Sequence, residues 1–310
     1  MNTTRAIILM VAVGLLGMPG TAPAKKKKSS GGEGGGESAF NKGNELFDKK
    51  QYEQAAEEFT KAIKTNAHEP KYYLNRGMTY LALQNAVDAV PDFFKVIELT
   101  PNDERAYIGR AQAYLMQKNY LGAQTDATKA IELKPDDPVA YKFRGFADLG
   151  VGEWDKAVAD FNVVIQKDPN DPQAYERQAW AYRNLKNDQA AVADYNIAIE
   201  KSPNNPDLYT KRGYSYSLLS QFSKAIADYQ QALKLNPNDT ATKQRMQYAQ
   251  QMLAAQMATP PPTPAATPTP ETSLITPLNI GIAVALIIII AVVVRLLTRG
   301  KVEVTSSRIR

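Results

Sequence analysis

The chain has 310 residues, 44% of them apolar and 22% charged, enough for a folded body of about 200 residues with appendages. With no cysteine and a single histidine, it can build no disulfide, thiolate nucleophile, cysteine-ligated metal or paired-histidine site. The formal charge of +5 sits at the ends, in Lys25–Lys28 and in the basic residues from Arg295 onward, and the slightly acidic body between them is unsuited to nucleic acid.

Residues 1–24 combine Arg5, an apolar run from Ala6 to Leu16 and the small-residue triplet Ala22, Pro23, Ala24. These are the parts of a secretory signal peptide cleaved after Ala24. Four lysines directly after the cleavage site are awkward to export, so an uncleaved amino-terminal anchor is the alternative. Residues 25–35 read as a basic, glycine-rich linker. Its "SSGGEGGGES" lacks the lysine and hydroxyl residue of a phosphate-binding loop and precedes no strand.

From residue 36 the chain repeats every 34 residues without a gap, as blocks 36–69, 70–103, 104–137, 138–171, 172–205 and 206–239. Position 4 carries Ala39 and then tyrosine (Tyr73, Tyr107, Tyr141, Tyr175, Tyr209). Position 8 is always small (Gly43, Gly77, Ala111, Gly145, Ala179, Gly213), as where two helices touch. Position 20 is alanine throughout, from Ala55 to Ala225, and position 24 is aromatic in five blocks (Phe59, Phe93, Phe161, Tyr195, Tyr229) and Ala127 in the third. Apolar spacings of three, four and seven describe two amphipathic helices per block, separated by a polar turn such as "LQN" or "LKN". Proline at position 32 (Pro101, Pro135, Pro169, Pro203, Pro237) ends the second helix, with Ala67 the exception. His68, in "TNAHEP", falls in a loop. Position 23 is acidic in every block and position 7 basic in all but the fifth, where Gln178 stands, so a ladder of basic-to-acidic contacts between packed helices is expected. Pro91 interrupts the second helix of block two, predicting either a kink or a late start near Asp88.

Period, small residues at positions 8, 20 and 27, the aromatic near 24 and proline at 32 together resemble the tetratricopeptide repeat (TPR) family over residues 36–239. The resemblance implies an all-α fold, a right-handed superhelical solenoid of six TPR helix pairs, with the first helix of each pair lining a concave groove. The family's groove positions hold Lys71, Asn75, Arg105, Lys142, Arg177, Arg183 and Lys211, interleaved with Phe143, Phe146, Trp180 and Tyr214, against Glu176 and Asp207. Such a positive groove with ring faces suits a protein or acidic peptide partner. Some members grip a chaperone's terminal carboxylate. Here Asn44 and Asn75 match that clamp and Arg105 replaces a lysine, but Phe40 and Gly109 stand where lysine and arginine are required, so the clamp is incomplete.

Residues 240–257, with Met246, Tyr248, Ala249, Met252 and Leu253 among polar residues, are expected to cap the stack. Residues 258–277, rich in proline and threonine, form an extended stalk of roughly 50 Å. Residues 278–297 are apolar over about 30 Å of helix, the thickness of a hydrocarbon core, and predict a C-terminal transmembrane helix. The basic tail, residues 298–310, then lies in the cytoplasm by the positive-inside rule. The whole reads as a single-pass protein of the plasma (inner) membrane whose repeats face outward. It is expected to be a scaffold for envelope complex assembly, with no catalytic constellation and no cofactor. The alternatives are a cytoplasm-facing adaptor or co-chaperone, and a glycan-binding or enzyme-accessory protein that uses Trp154, Trp180 and the groove tyrosines as sugar platforms.

Overall fold

A computed structural model describes residues 33–258 and 285–295, and every regular element among them is an α-helix. In chain order these are α1 (Glu33–Asp48), α2 (Tyr52–Thr65), α3 (Pro70–Ala82), α4 (Ala86–Leu99), α5 (Glu104–Met116), α6 (Tyr120–Leu133), α7 (Pro138–Val151), α8 (Trp154–Lys167), α9 (Pro172–Asn184), α10 (Asp188–Lys201), α11 (Pro206–Leu218), α12 (Phe222–Leu235) and α13 (Thr240–Ala258). A further helix, α14, covers residues 285–295. Each 34-residue block is thus one antiparallel helix pair, as expected. The signal segment, the linker up to residue 32, the stalk from 259 and the tail lie outside the described residues.

From α1 to α12, helices neighbouring in sequence pack on one another, and the first helices of repeats one to five also touch in series, α1 on α3, α3 on α5, α5 on α7 and α7 on α9. That asymmetry puts the first helices on the inner face of the stack. The core is built from large against small. Phe59, Phe93, Phe161, Tyr195 and Tyr229 are enclosed, and the position-20 alanines are fully buried beside them. A side-chain carbon placed on Gly43 would lie 2.6 Å from the Phe59 ring, so the small residue at position 8 is what lets the aromatic at position 24 enter. Between repeats, the Tyr73, Tyr107 and Tyr209 hydroxyls donate to the carbonyls of Ala67, Pro101 and Pro203, tying position 4 to position 32 of the preceding repeat.

The turn inside each repeat has one geometry. Position 15 is left-handed in all six: Lys50, Gln84, Lys118, Gly152, Lys186 and Ser220, with φ between 57° and 84°. The next amide bonds back across the end of the first helix, as Asn187 N–H does to the Tyr182 carbonyl at 2.9 Å, closing a Schellman-type cap. The residue after the turn then caps the second helix: Asn85, Asn119 and Asn187 accept from the amides of Asp88, Gly122 and Ala190.

The ladder forms within repeats one to four and six. Lys42 reaches Glu58 at 2.7 Å, and Arg76, Arg110, Arg144 and Arg212 hold Asp92, Asp126, Asp160 and Asp228 with two-pronged bonds of 2.6–2.9 Å. Arg76 and Arg212 also donate backward to Thr60 and Asn196 of the preceding repeat.

Three expectations are refined. Helix α1 begins at Glu33 and takes in Gly34 and Gly35, which were assigned to the linker. Gly36 seats closely on Thr65 and Tyr72, and this packing draws the helix out. Helix α4 neither starts late nor loses its cap: it runs from Ala86 through Pro91, whose exposed position leaves the freed carbonyl one turn earlier to water. Met246, Met252, Leu253 and Ala249 of α13 pack against Phe222 and Tyr229, but Tyr248 is exposed. Of the expected span 278–297, residues 285–295 are described, as α14. Among the described residues no helix is long and apolar enough to cross a membrane.

Candidate binding groove

The groove residues come from one face of α3, α5, α7, α9 and α11, and most of their charge is already matched. Lys71 pairs with Glu37 at 2.9 Å and lies over the Phe40 and Tyr72 rings. Asn75 donates to Asn44 at 2.7 Å, so the two clamp-like amides satisfy each other. Arg105 forks onto Asp103 at 2.7 and 2.9 Å, Lys142 reaches Asp171 at 2.7 Å, and Lys211 binds Glu176. Four of the six bases assigned to the groove are thus paired with acids, Glu176 and three not assigned to it. Asp103 and Asp171 cap the first helices at position 34, outside the columns assigned to the groove, and the folded turn brings them back to its bases. Gly109, where a clamp arginine would be required, has no room for a side chain: a carbon there would fall 2.4 Å from the Phe93 ring.

The aromatics divide as well. Phe143 and Phe146 are only 3% and 6% exposed and belong to the core with Ile108 and Ala111; Phe146 meets Phe161 edge-on at 5.6 Å. They offer no ring face to a partner, because bulky apolar side chains at these positions fill the space left by the small residues of the preceding repeat. Trp180 is half-buried edge-to-face against Trp154 at 5.5 Å, an arrangement that spends both rings on each other rather than on a flat sugar platform. Tyr214 keeps an open face, and the Arg183 guanidinium lies over it at 4.4 Å.

Two guanidiniums on α9 stand apart. Arg177 and Arg183 meet no carboxylate among the described residues, and the Nε of each is buried without a hydrogen-bond partner. Arg177 is 8% exposed and has the Phe146 ring at 5.7 Å. Both stand near the enclosed Tyr195 hydroxyl, which burial pushes up to about 12 and so keeps protonated. Arg245, on the capping helix, comes within 6.0 Å of the other partner of Arg183, Tyr214. Sequence reasoning missed Arg245, since a capping helix carries no groove column.

Two acids outside the groove columns are shifted furthest. Asp148 is 1% exposed and accepts from Gln124 at 2.6 Å; burial, with Asp160 nearby, pushes it up to about 6 against that bond. Asp194 lacks its ladder arginine, because Gln178 instead donates to Asn162 and to the Val158 carbonyl of the preceding repeat. Burial alone pushes Asp194 up to about 7. Among the described residues no three histidine, aspartate or glutamate side chains converge to hold a metal.

Profiles described as tetratricopeptide repeat match residues 104–137, 145–206 and 206–239, and one described as TPR repeat matches residues 43–84. No curated protein matches. Among solved structures, a tetratricopeptide repeat protein from Parabacteroides merdae ATCC 43184 is similar at 21% identity with a TM-score of 0.51, over 69% of this chain and 84% of that one. YrrB, described as a TPR protein with an unusual peptide-binding site, is similar at 20% identity and 0.54, over 63% of this chain and 99% of its own. MamA from Desulfovibrio magneticus RS-1 is similar at 18% identity and 0.53, over 56% and 98%. At these identities the likeness is one of fold.

Proposed function

The chain is a tetratricopeptide repeat protein, and we propose that its six repeats form a non-enzymatic scaffold, held at a membrane, whose inner groove binds peptide segments of partner proteins during envelope complex assembly. The observation that carries the reading is the inner face itself. First helices of repeats one to five touch in series, and the residues that we assign to their inner face and to that of the sixth, Lys71, Asn75, Arg105, Lys142, Arg177, Trp180, Arg183, Lys211 and Tyr214, would make it a polar surface with aromatic and cationic contact points. The peptide-binding site in the description of YrrB is in keeping with this use of the fold.

Support for the tether comes from α14. Its side chains from Leu286 to Val294 are exposed on every side and almost wholly apolar. A helix apolar all round belongs in a core or in hydrocarbon, and the run 278–297 has the length of a bilayer. The repeats then face the extracytoplasmic side and the basic tail the cytoplasm.

Partners recovered with the intact protein are expected to dissociate from a Lys71→Ala, Lys142→Ala, Trp180→Ala variant that keeps its helical circular dichroism. Undiminished recovery would place binding elsewhere. For the tether, protease added to intact spheroplasts is expected to remove the repeats and spare a short tail-bearing fragment. Digestion only after lysis would reverse the orientation.

A further inference from the structure

A buried guanidinium with no counter-charge is costly, because its desolvation is offset only by a matched anion or by a full set of acceptors. Arg177 has neither: it is nine-tenths buried, its Nε is unpartnered, and Glu176, the adjacent acid, is bound to Lys211. Arg183 repeats the deficit, with a second buried and unpartnered Nε. Both surround the protonated Tyr195 hydroxyl, while Tyr214 lies flat under Arg183 and near Arg245. The other bases assigned to the groove have their acids, as in Lys71–Glu37, Arg105–Asp103 and Lys142–Asp171. The unmatched positive charge is thus concentrated at α9, toward the sixth repeat and the capping helix.

We propose that Arg177 and Arg183 form a carboxylate subsite, which an acidic side chain or the terminal carboxylate of the bound peptide completes. This rests on the groove reading above and deepens it, by fixing which end of the groove takes the anion. The planar forks suit a carboxylate's two oxygens, and the Tyr214 ring holds Arg183 in place for a two-pronged bond. Lys142 and Lys211, already paired, contribute little to the anion.

The test uses the full chain in detergent, with labelled hexaglutamate as the probe, its C-terminal amide and hexaglutamine with a free C-terminus. Arg177→Met and Arg183→Gln are each expected to weaken hexaglutamate binding by about tenfold or more, the loss expected when one prong of a charged pair is removed. Retained binding of the amide assigns the anion to a side chain; binding of hexaglutamine assigns it to the terminus. Arg177→Met should also leave the thermal midpoint of the unliganded protein unchanged or higher, and Arg177→Lys should keep the fold while losing affinity. A lowered midpoint with unchanged affinity would make Arg177 a structural cation over Phe146 and overturn the subsite, as would a wild-type chain indifferent to all three probes. If co-purified partners still depend on Lys142 and Trp180 in that last case, the groove reading survives without the subsite. If they do not, both fall.

Discussion

Repeats four and five share a backbone but solve the same packing problem differently. In repeat four, Arg144 clamps Asp160 inside its own helix pair. In repeat five, Gln178 turns its amide to Asn162 and the Val158 carbonyl of repeat four, and Asp194 is left half-buried without a cation. The turns differ too, Gly152 in the one and Lys186 in the other holding the same left-handed φ. The ladder is therefore not required for a repeat to fold. A carboxyl deprived of its arginine remains in place by rising toward neutrality.

The largest expected effect comes from breaking the pair without removing the acid. Arg144→Ala leaves Asp160, 4% exposed, without its cation and is expected to lower stability by about 3 kcal/mol in urea denaturation. The double variant Arg144→Gln, Asp160→Asn, which imitates repeat five with the charge removed, should recover most of it; no recovery would mean that the guanidinium's packing, not its charge, carries the effect. Next, Gln178→Arg installs the missing rung and is expected to stabilise the chain by about 1 kcal/mol at neutral pH, while bringing Asp194 back toward the ordinary carboxylate range. An unchanged urea midpoint would show that the bonds Gln178 makes to repeat four are worth as much as the ion pair.

The pH dependence sharpens the same contrast. Asp194, at about 7, and Asp148, at about 6, titrate higher in the fold than in the unfolded chain, where an aspartate titrates at about 3.9, so unfolding releases their protons. Their contribution to stability therefore declines as pH rises from about 4, and the decline is complete above about 6 for Asp148 and about 7 for Asp194. Measured as urea midpoints, the advantage of Asp194→Asn over wild type should grow from pH 4 to 7 and then level off, with that of Asp148→Asn levelling earlier. A flat difference would mean that Asp194 is ionised throughout. The smallest effects belong to the turns: Gly152→Ala should cost about 1 kcal/mol in the thermal midpoint and Lys186→Gly gain about half as much, since only glycine takes this φ without strain.

The helix pairs were legible because each column of the repeat has one physical job. Alanine at position 20 and the small residue at position 8 are small because an aromatic at position 24 must pass, and proline at 32 ends a helix whatever surrounds it. The ladder could be read for the same reason, down to its exception at Gln178. The groove was less readable. Its basic residues were named from the family's columns, but their counter-ions Asp103 and Asp171 came from helix caps at position 34, and Phe146 turned inward while Trp180 and Tyr214, in the same column, stayed partly exposed. The left-handed turns were nearly invisible: only Gly152 announces one, while four of the other five carry lysine or glutamine, residues with no preference for that φ. Arg245 acquires its place beside Tyr214 only once the capping helix has docked.

The backward bonds of Gln178 bear on how the stack comes apart. An arginine rung secures the interior of its repeat, with a backward bond in addition at Arg76 and Arg212, whereas Gln178 bonds only backward, fastening repeat five to repeat four while leaving its own interior weaker. In a chain of units with separate internal and nearest-neighbour energies, such an exchange lengthens the segment that opens in one step. Amide hydrogen exchange should accordingly find α7 to α10 opening as one block, so that fraying from the C-terminal end pauses after the sixth repeat and then takes two repeats together.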